Sequence, residues 1–186
     1  MYDSSPGRVT QTNETDLWVT WEQYDGLIEQ LAVQVQQSCF QFDQILCLAR
    51  GGMRIGDVLS RVFNVPLAIL ATSSYRGTQG TEQGALHIAQ HVTSSAGQLS
   101  GSILLVDDLV DSGVTFAAVG AHLLQAFPLI TSLKTAVLWQ KASSTVKPDY
   151  VVSVLDTDPW IHQPFEHYDS VKLPDLVEKW SSARNK

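Results

Sequence analysis

Apolar residues recur along the chain in two patterns, one typical of helices and one of buried strands. The helical pattern is clearest in residues 20–37, where apolar side chains return every three or four positions. They are Tyr24, Leu27, Ile28, Leu31, Ala32 and Val35. Thr20 and Gln23 have the spacing of a capping box, in which each residue satisfies a backbone N–H of the other. We therefore predict a helix that begins after Thr20 and buries one face.

Short, continuous apolar runs indicate the strands. They are the segments 42–49, 65–74, 102–106, 133–140 and 150–155. Helical spacing returns after the Arg-Gly-Gly sequence at 50–52, again from about residue 114 to 127, and in the tail from residue 173. Because strands and helices alternate and the strands are apolar throughout, we predict an α/β fold with a mainly parallel central sheet flanked by helices.

Two polar stretches interrupt this order. The first 15 residues have no apolar core, which predicts a flexible or loosely docked arm ahead of a single domain at 16–186. Residues 76 to about 101 are rich in Gly, Gln, Thr and Ser, and only residues 86–92 are strand-like. We expect a mobile loop or an extended hairpin there.

Charge and composition argue against some classes of function. The chain has 186 residues and a net charge of −7, whereas a nucleic-acid-binding domain normally shows a basic face. No apolar run approaches the roughly 20 residues that span a bilayer. The spacing of Cys39 and Cys47 suggests neither a metal site nor a disulfide framework. We expect a soluble, cytoplasmic protein with two buried, reduced thiols and no nucleic-acid or membrane partner.

The segment "SILLVDDLVDSGVTF", residues 102–116, places three carboxylates at the end of a predicted strand. Asp107, Asp108 and Asp111 would repel one another unless a cation or a hydroxyl-rich ligand lies among them. Carboxylate oxygens suit a ribose diol, as hydrogen-bond acceptors, or Mg²⁺. The alternative is an acidic turn that merely faces solvent.

The residues that follow are suited to a phosphate. Gly113 allows a tight turn, and the amides from Ser112 through Val114 to Thr115 can point to one place at a helix N-terminus. The hydroxyls of Ser112 and Thr115 add donors. With the carboxylates on the other side, the segment predicts a site for a ribose 5-phosphate.

The sequence "ILLVDDLVDSGVT" resembles the phosphoribosyl-pyrophosphate (PRPP) signature of type I phosphoribosyltransferases. The resemblance implies that family's fold, with a small hood at about 156–170, and a Mg²⁺-dependent transfer of the phosphoribosyl group. It implies that Asp107 and Asp108 hold the ribose hydroxyls and, directly or through water, Mg²⁺. Asp111 would be the general acid or base near the purine N7. A homo-oligomer, dimer or tetramer, is also implied.

Two further segments resemble the same family in the order that it requires. "ARGG" resembles the loop that faces the leaving diphosphate, with Arg50 and Gly51 in contact, although Arg-Gly-Gly alone would indicate a plain turn. "SSY" resembles the catalytic loop of the 6-oxopurine members, in which Ser74 and Tyr75 would close over the site; an ordinary strand end is the alternative. Arg76 is the candidate for an arginine of that loop.

The predicted identity of the nucleobase depends on the last segment that resembles the family. "DTDPWIHQPFE", residues 156–166, resembles the purine-binding hood of bacterial xanthine-guanine phosphoribosyltransferases. Trp160 would stack on the base, the peptide groups around Ile161 would read its edge, and Lys141 would donate to the purine 6-oxygen. A core tryptophan and a surface lysine are the alternatives. The chain departs from those enzymes in its longer Gly/Gln-rich loop and in a longer spacing from Asp111 to Lys141, which implies an insertion around "FPLITSLK".

The sequence therefore predicts a purine-salvage enzyme that converts PRPP and guanine, xanthine or hypoxanthine into the nucleoside 5′-monophosphate and diphosphate. A phosphoribosyltransferase for another base would keep the aspartates but have no use for Lys141. A non-catalytic regulator could bind PRPP or a nucleotide on the same fold. A response-regulator-like domain would need an acid pair and a phosphoacceptor near the N-terminus, and "QILCLARGG" supplies neither.

Overall fold

The computed structural model of the chain describes residues 15–76 and 83–183. Its helices are α1 (Trp21–Gln37), α2 (Met53–Phe63), α3 (Val114–Ala126) and α4 (Leu173–Ala183), with a 3₁₀ turn at Glu166–Asp169. Its strands are β1 (Asp16–Trp18), β2 (Gln44–Ala49), β3 (Leu67–Arg76), β4 (Gln83–Ile88), β5 (Thr93–Ser94), β6 (Gly101–Val106), β7 (Leu109–Val110), β8 (Ile130–Gln140), β9 (Tyr150–Val154) and β10 (Trp160–His162). Among the residues described, no helix has the length and apolar character needed to cross a membrane. The predicted arm at 1–15 lies outside this part of the chain, except for its last residue.

Five parallel strands in the order β3-β2-β6-β8-β9 form the centre of the large sheet. The register places Leu46 of β2 opposite Ala68 of β3 on one side and Leu105 of β6 on the other. Residues 44–48 of β2 are buried in succession, as expected for a strand covered on both faces. The predicted α/β fold with a mainly parallel central sheet is confirmed.

One hydrophobic core lies between this sheet and α3. Its buried members come from β2, β3, β6, β8, the segments beside them, and the inner face of α3. They are Leu46, Leu48, Ala68, Leu70, Leu99, Ile103, Leu105, Val110, Phe116, Val119, Leu123, Ile130 and Val137. Most were apolar positions in the predicted strands and helices, so the periodicity located the core as well as the elements.

The capping box that the sequence predicts is present at the start of α1. The backbone N–H of Thr20 donates to Gln23 Oε1 at 2.9 Å, and the N–H of Gln23 donates to Thr20 Oγ1 at 3.2 Å. One of the N–H groups of the first helical turn, which have no partner inside the helix, is thereby satisfied, together with the N–H of the cap residue. The predicted inner face is buried, with Leu31 and Val35 fully enclosed.

The polar stretch after β3 contains an antiparallel hairpin in its described part. β4 pairs with the end of β3, with Ser73 opposite His87, and β5 pairs with the start of β3. The expected mobility of the intervening loop concerns residues outside the described part and stays a prediction.

One expectation about the cysteines is wrong. Cys39 is exposed rather than buried, because it lies beyond the end of α1 in a turn whose neighbouring residues Gln37 and Ser38 are also exposed; its φ is 57°. Cys47 is buried in β2, and burial raises the pKa of its thiol to about 11. Only Cys47 behaves as the sequence led us to expect.

The described chain divides into two compact units. One is Gly26–Asp158, which holds the large sheet; the other consists of the described residues up to 25 and from 159 onward. In this second unit β1 and β10 form a parallel pair with Leu17 opposite Ile161, and both side chains are only 4% exposed. The imidazole of His162 bonds the Asp16 carboxylate at 2.7 Å and stacks on the Trp18 ring at 3.7 Å between centroids.

Candidate active site

Three loops follow the carboxyl ends of parallel strands in the Gly26–Asp158 unit. They are residues 50–52 after β2, residues 107–115 after β6, and the segment that begins at Lys141 after β8. Because the carboxyl ends of adjacent parallel strands lie at one edge of a sheet, these loops share that edge. In open α/β sheets, ligands bind at this edge.

The first two loops are in direct contact. A Cβ atom built on Gly51 would lie 2.5 Å from Asp108 Oδ1 and 2.8 Å from Asp107 Oδ1, so a side chain at this position would have to displace the two carboxylates. The preceding peptide bond, Ala49–Arg50, is cis, and the Arg50 residue is exposed. The structure thus brings Arg50, Gly51 and the two aspartates together, as the sequence predicts.

The two carboxylates are held by the backbone. The N–H of Asp108 donates to Asp107 Oδ1 at 3.0 Å, and the N–H of Leu109 donates to Asp108 Oδ1 at 2.8 Å. The pKa of Asp107 lies well above its ordinary value, first because burial disfavours the charged form and then because of the neighbouring Asp108 charge. A cation or hydroxyl donors next to this pair would relieve both effects.

These residues fit Mg²⁺ if the ligand supplies the remaining oxygens. Mg²⁺ is commonly bound by one or two carboxylates together with substrate phosphates and water. Asp107 and Asp108 offer that donor set, and within the described ranges there is no cluster of three or more His, Cys, Asp or Glu residues that could hold a metal without a ligand.

The turn at residues 111–115, hereafter the strand-end turn, leads directly into α3. Gly113 has φ of +88° and caps the helix, and no side chain caps the helix in its place. The N–H of Val114 makes only a long bond, 3.5 Å, to Ser112 Oγ. A helix N-terminus with its first amides pointing outward is a site for an anion. Ser112 and Thr115 lie within this turn, and the binding of a phosphate there stays a prediction.

Lys141 and Asp111 lie next to each other. The short strand β7 pairs with the end of β8, with Val110 opposite Gln140, and the N–H of Lys141 donates to the Val110 carbonyl at 3.0 Å. This pairing brings Lys141 Nζ to 3.6 Å from Asp111 Oδ2. The Lys141 side chain is 11% exposed, so it is not the surface lysine of the alternative interpretation.

Sequence reasoning missed two features of this edge. β7 is two residues long and lies inside an acidic turn, so it has no periodic signal of its own. The segment 142–146 packs on the strand-end turn, where Thr145 bonds the Ser112 carbonyl and Val146 lies against Gly113. The Ser/Thr content of "ASST" indicates a loop but does not show what the loop contacts.

The remaining predicted residues lie elsewhere. Trp160 and Ile161 belong to β10 in the second unit. Trp160 is 53% exposed, so it is not a core tryptophan, and its backbone N–H donates to the Thr15 carbonyl at 2.8 Å. Ser74 and Tyr75 belong to β3, but their side chains, like that of Arg76, lie outside the described part of the chain.

Comparisons with known proteins show which proteins the chain resembles. The chain is 29% identical over 157 residues to the xanthine-guanine phosphoribosyltransferase of Idiomarina loihiensis, covering 82% of this chain and 90% of that one. It is 30% identical to the enzyme of that name from Gluconobacter oxydans, covering 80% and 83%. The Helicobacter pylori xanthine-guanine-hypoxanthine phosphoribosyltransferase structure superposes with a TM-score of 0.67 at 27% identity, covering 84% of this chain and 99% of that one.

The family model of the phosphoribosyl transferase domain matches residues 20–170. That range contains the Arg-Gly-Gly loop, the aspartate pair, the strand-end turn and Lys141. The matched region thus includes the whole sheet edge described above, as well as β10. The chain belongs to the phosphoribosyl transferase domain family.

Proposed function

We propose that the protein transfers the 5-phosphoribosyl group from PRPP to a 6-oxopurine (guanine, xanthine or hypoxanthine), giving the nucleoside 5′-monophosphate and diphosphate. The observation that carries the proposal is the contact between the Gly51 loop and the Asp107–Asp108 pair, directly beside the strand-end turn. This contact supports the proposal because groups suited to diphosphate, ribose hydroxyls and a phosphate then lie at one sheet edge. The family match and the names of the relatives support the same chemistry.

The sugar phosphate is bound by residues of the chain in three parts. The amides of the strand-end turn, with the hydroxyls of Ser112 and Thr115, bind the 5′-phosphate. Asp107 and Asp108 accept hydrogen bonds from the ribose hydroxyls, and the Arg50–Gly51 backbone faces the diphosphate. Mg²⁺, held by the same two carboxylates, would neutralise negative charge on the diphosphate.

The base is recognised through the Asp111–Lys141 pair. The reaction breaks the bond between ribose C1 and the diphosphate oxygen and forms a bond from C1 to a purine nitrogen. The 6-oxygen and N7 are neighbours on the purine edge, so an ammonium donor 3.6 Å from a carboxylate acceptor suits both positions at once. Lys141 donates to the 6-oxygen, and Asp111 exchanges the proton at N7 as general acid or base. An amino group at C6 would instead present donors to the ammonium.

Other parts of the proposal rest on the sequence resemblance. Ser74 and Tyr75 would belong to a loop that closes over the reacting groups and excludes water, which otherwise hydrolyses the activated sugar. Trp160 and Ile161 would contact the base. Assembly as a dimer or tetramer and a cytoplasmic location stay predictions as well.

An absorbance assay with PRPP, MgCl₂ and a panel of six bases tests the proposal. The panel contains hypoxanthine, guanine, xanthine, adenine, uracil and orotate. We expect turnover with at least one of the first three, none with the pyrimidines, and loss of activity when EDTA replaces MgCl₂.

Two results would contradict the proposal. Turnover confined to adenine or a pyrimidine would assign a different base and remove Lys141 from base recognition. Binding of PRPP without turnover of any base would identify a regulator instead of an enzyme.

A further inference from the structure

The segment 142–146 makes three contacts with the strand-end turn, 33 positions earlier in the chain. The backbone N–H of Thr145 donates to the Ser112 carbonyl at 3.1 Å, and Thr145 Oγ1 donates to the same oxygen at 3.0 Å. A Cβ atom on Gly113 would lie 2.7 Å from Val146 Cγ2, so the two segments are packed together. The shape of the turn therefore depends on a distant part of the chain.

The two bonds from Thr145 fix the orientation of one peptide group. A carbonyl oxygen has two lone pairs, and both are used when it accepts two donors. The Ser112–Gly113 peptide is trans, and in a planar trans peptide the C=O and the N–H point in opposite directions. Holding the Ser112 carbonyl toward Thr145 thus directs the Gly113 N–H away from it. Gly113, with φ of +88°, then takes the chain into α3.

Thr145 reaches this carbonyl from a segment that has its own internal bonds. The N–H of Ser144 donates to the Lys141 carbonyl at 3.2 Å, and Ser144 Oγ donates to the Val146 carbonyl at 2.8 Å. The N–H of Ser143 donates to Asp158 Oδ1 at 2.9 Å, the main cause of the lowered pKa of Asp158. With Val146 packed against the core, the segment is held on both sides of Thr145.

We propose that Thr145 is a positioning residue for the phosphate end of the substrate. By holding the Ser112 carbonyl, it keeps the amides of the strand-end turn directed at the 5′-phosphate, without touching the ligand itself. This inference rests on the proposed function, in which that turn binds the 5′-phosphate. It adds a residue from another loop, one that the PRPP-like sequence signature does not contain.

The test compares a nucleotide with its nucleoside, which differ only in the phosphate. We expect Thr145→Val, which keeps the backbone N–H and the β-branched shape but loses the hydroxyl, to weaken inosine 5′-monophosphate binding by about threefold to tenfold. Inosine binding should be unchanged. Thr145→Ser, which retains the hydroxyl, should stay within about twofold of the wild type for both ligands. Isothermal titration gives the dissociation constants, and thermal unfolding verifies that each variant is folded.

Steady-state kinetics gives an independent measurement. The KM for PRPP should rise in Thr145→Val by the same factor as the nucleotide dissociation constant, while the KM for the base stays constant. Thr145→Ala, which removes the hydroxyl without the second methyl group, should repeat this pattern if valine disturbs packing.

The outcomes separate this inference from the function on which it rests. Unchanged nucleotide affinity in Thr145→Val, or equal losses for nucleotide and nucleoside in both Thr145→Val and Thr145→Ala, would overturn the role of Thr145 and leave the proposed function standing. If the wild-type protein binds inosine 5′-monophosphate no more tightly than inosine, the phosphate site itself is wrong and both proposals fail.

Discussion

Lys141 Nζ lies 3.6 Å from Asp111 Oδ2, although the two residues follow different strands. The lysine side chain is 11% exposed and the aspartate side chain 63%, so the cation is largely enclosed while the carboxylate faces solvent. The arrangement leaves one donor and one acceptor side by side at the sheet edge. In the proposed function, an entering oxopurine edge meets both groups at once.

Replacing Lys141 tests whether its ammonium group donates a hydrogen bond to the base. Lys141→Met keeps most of the side-chain length but removes the ammonium group, and we expect the KM for the oxopurine to rise by about tenfold to a hundredfold, as for loss of a hydrogen bond to a charged group. The KM for PRPP should change little. Lys147→Met, at an exposed lysine six residues along the chain, is the matched control. An oxopurine KM equal to that of the control would exclude Lys141 from base recognition.

Replacing Asp111 tests whether its carboxylate exchanges a proton with the base. Asp111→Asn preserves size but removes the proton-accepting carboxylate, so we expect kcat to fall by about 10²–10⁴-fold, the usual contribution of general acid–base catalysis. PRPP binding, measured by titration without base, should change far less. Asp57→Asn should leave kcat unchanged, because the Asp57 side chain is 52% exposed on α2 and pairs with Arg61 on the same helix. Parallel losses of turnover and PRPP affinity in Asp111→Asn would argue against an acid–base role.

The raised pKa of Asp107 predicts that the folded protein becomes less stable as the pH rises. The folded protein holds the Asp107 proton more readily than the unfolded chain, so the contribution of this carboxyl is fully present below the unfolded pKa, about 4. That contribution is lost as the pH rises through the folded pKa. We therefore compare the unfolding temperatures of Asp107→Asn and the wild type in buffer without divalent cations. The unfolding temperature of the variant minus that of the wild type should increase as the pH rises.

Added MgCl₂ should reduce the difference in unfolding temperature between Asp107→Asn and the wild type at neutral pH. The reason is that the cation compensates the buried charge only where the Asp107 carboxylate is present. Thermal unfolding measured with and without MgCl₂ across the pH range checks both effects. A gap that does not vary with pH would contradict the raised pKa, and equal stabilisation of both proteins by MgCl₂ would argue against Asp107 as a ligand.

A comparison of Gly113, in the strand-end turn, with Gly97, which has a similar φ but lies outside that turn, distinguishes the cost of backbone strain from the cost of crowding. Gly113 and Gly97 have φ of +88° and +84°, but a Cβ on Gly97 meets nothing within 4 Å, whereas one on Gly113 meets Val146. Gly97→Ala should lose about 1–2 kcal/mol of unfolding free energy through the left-handed conformation alone. Gly113→Ala should lose more and should also weaken PRPP binding. Denaturant titration measures the first effect and PRPP titration the second; equal losses of stability would contradict the close packing.

Periodicity and turn chemistry predicted the parts of this molecule that are encoded locally. The capping box at Thr20, the five central strands and the helix after Gly113 each have a signal within a few residues. β8 begins at Ile130, inside the segment interpreted as an insertion, because its first residue pairs with Gly101 in another strand. Such pairing is decided by the rest of the sheet and not by the segment itself.

The same limit applied to the candidate site. The aspartate segment was identified from its own sequence, and the structure places it against Gly51 as expected. The positions of Lys141 and Thr145 beside the strand-end turn depend on β7 and on the path of the 142–146 loop, neither of which has a periodic pattern. Sequence reasoning could therefore name Lys141 by resemblance but could not find Thr145.

The pairing of β1 with β10 has a consequence for the order in which the protein can assemble as it is synthesised. Asp16 and His162 are 146 positions apart, so β1 leaves the ribosome long before its partner strand exists. The whole Gly26–Asp158 unit is translated in between. The pairing of Leu17 with Ile161 and the stacking of Trp18 on His162 can therefore form only after β10 has been translated, later than every strand of the large sheet.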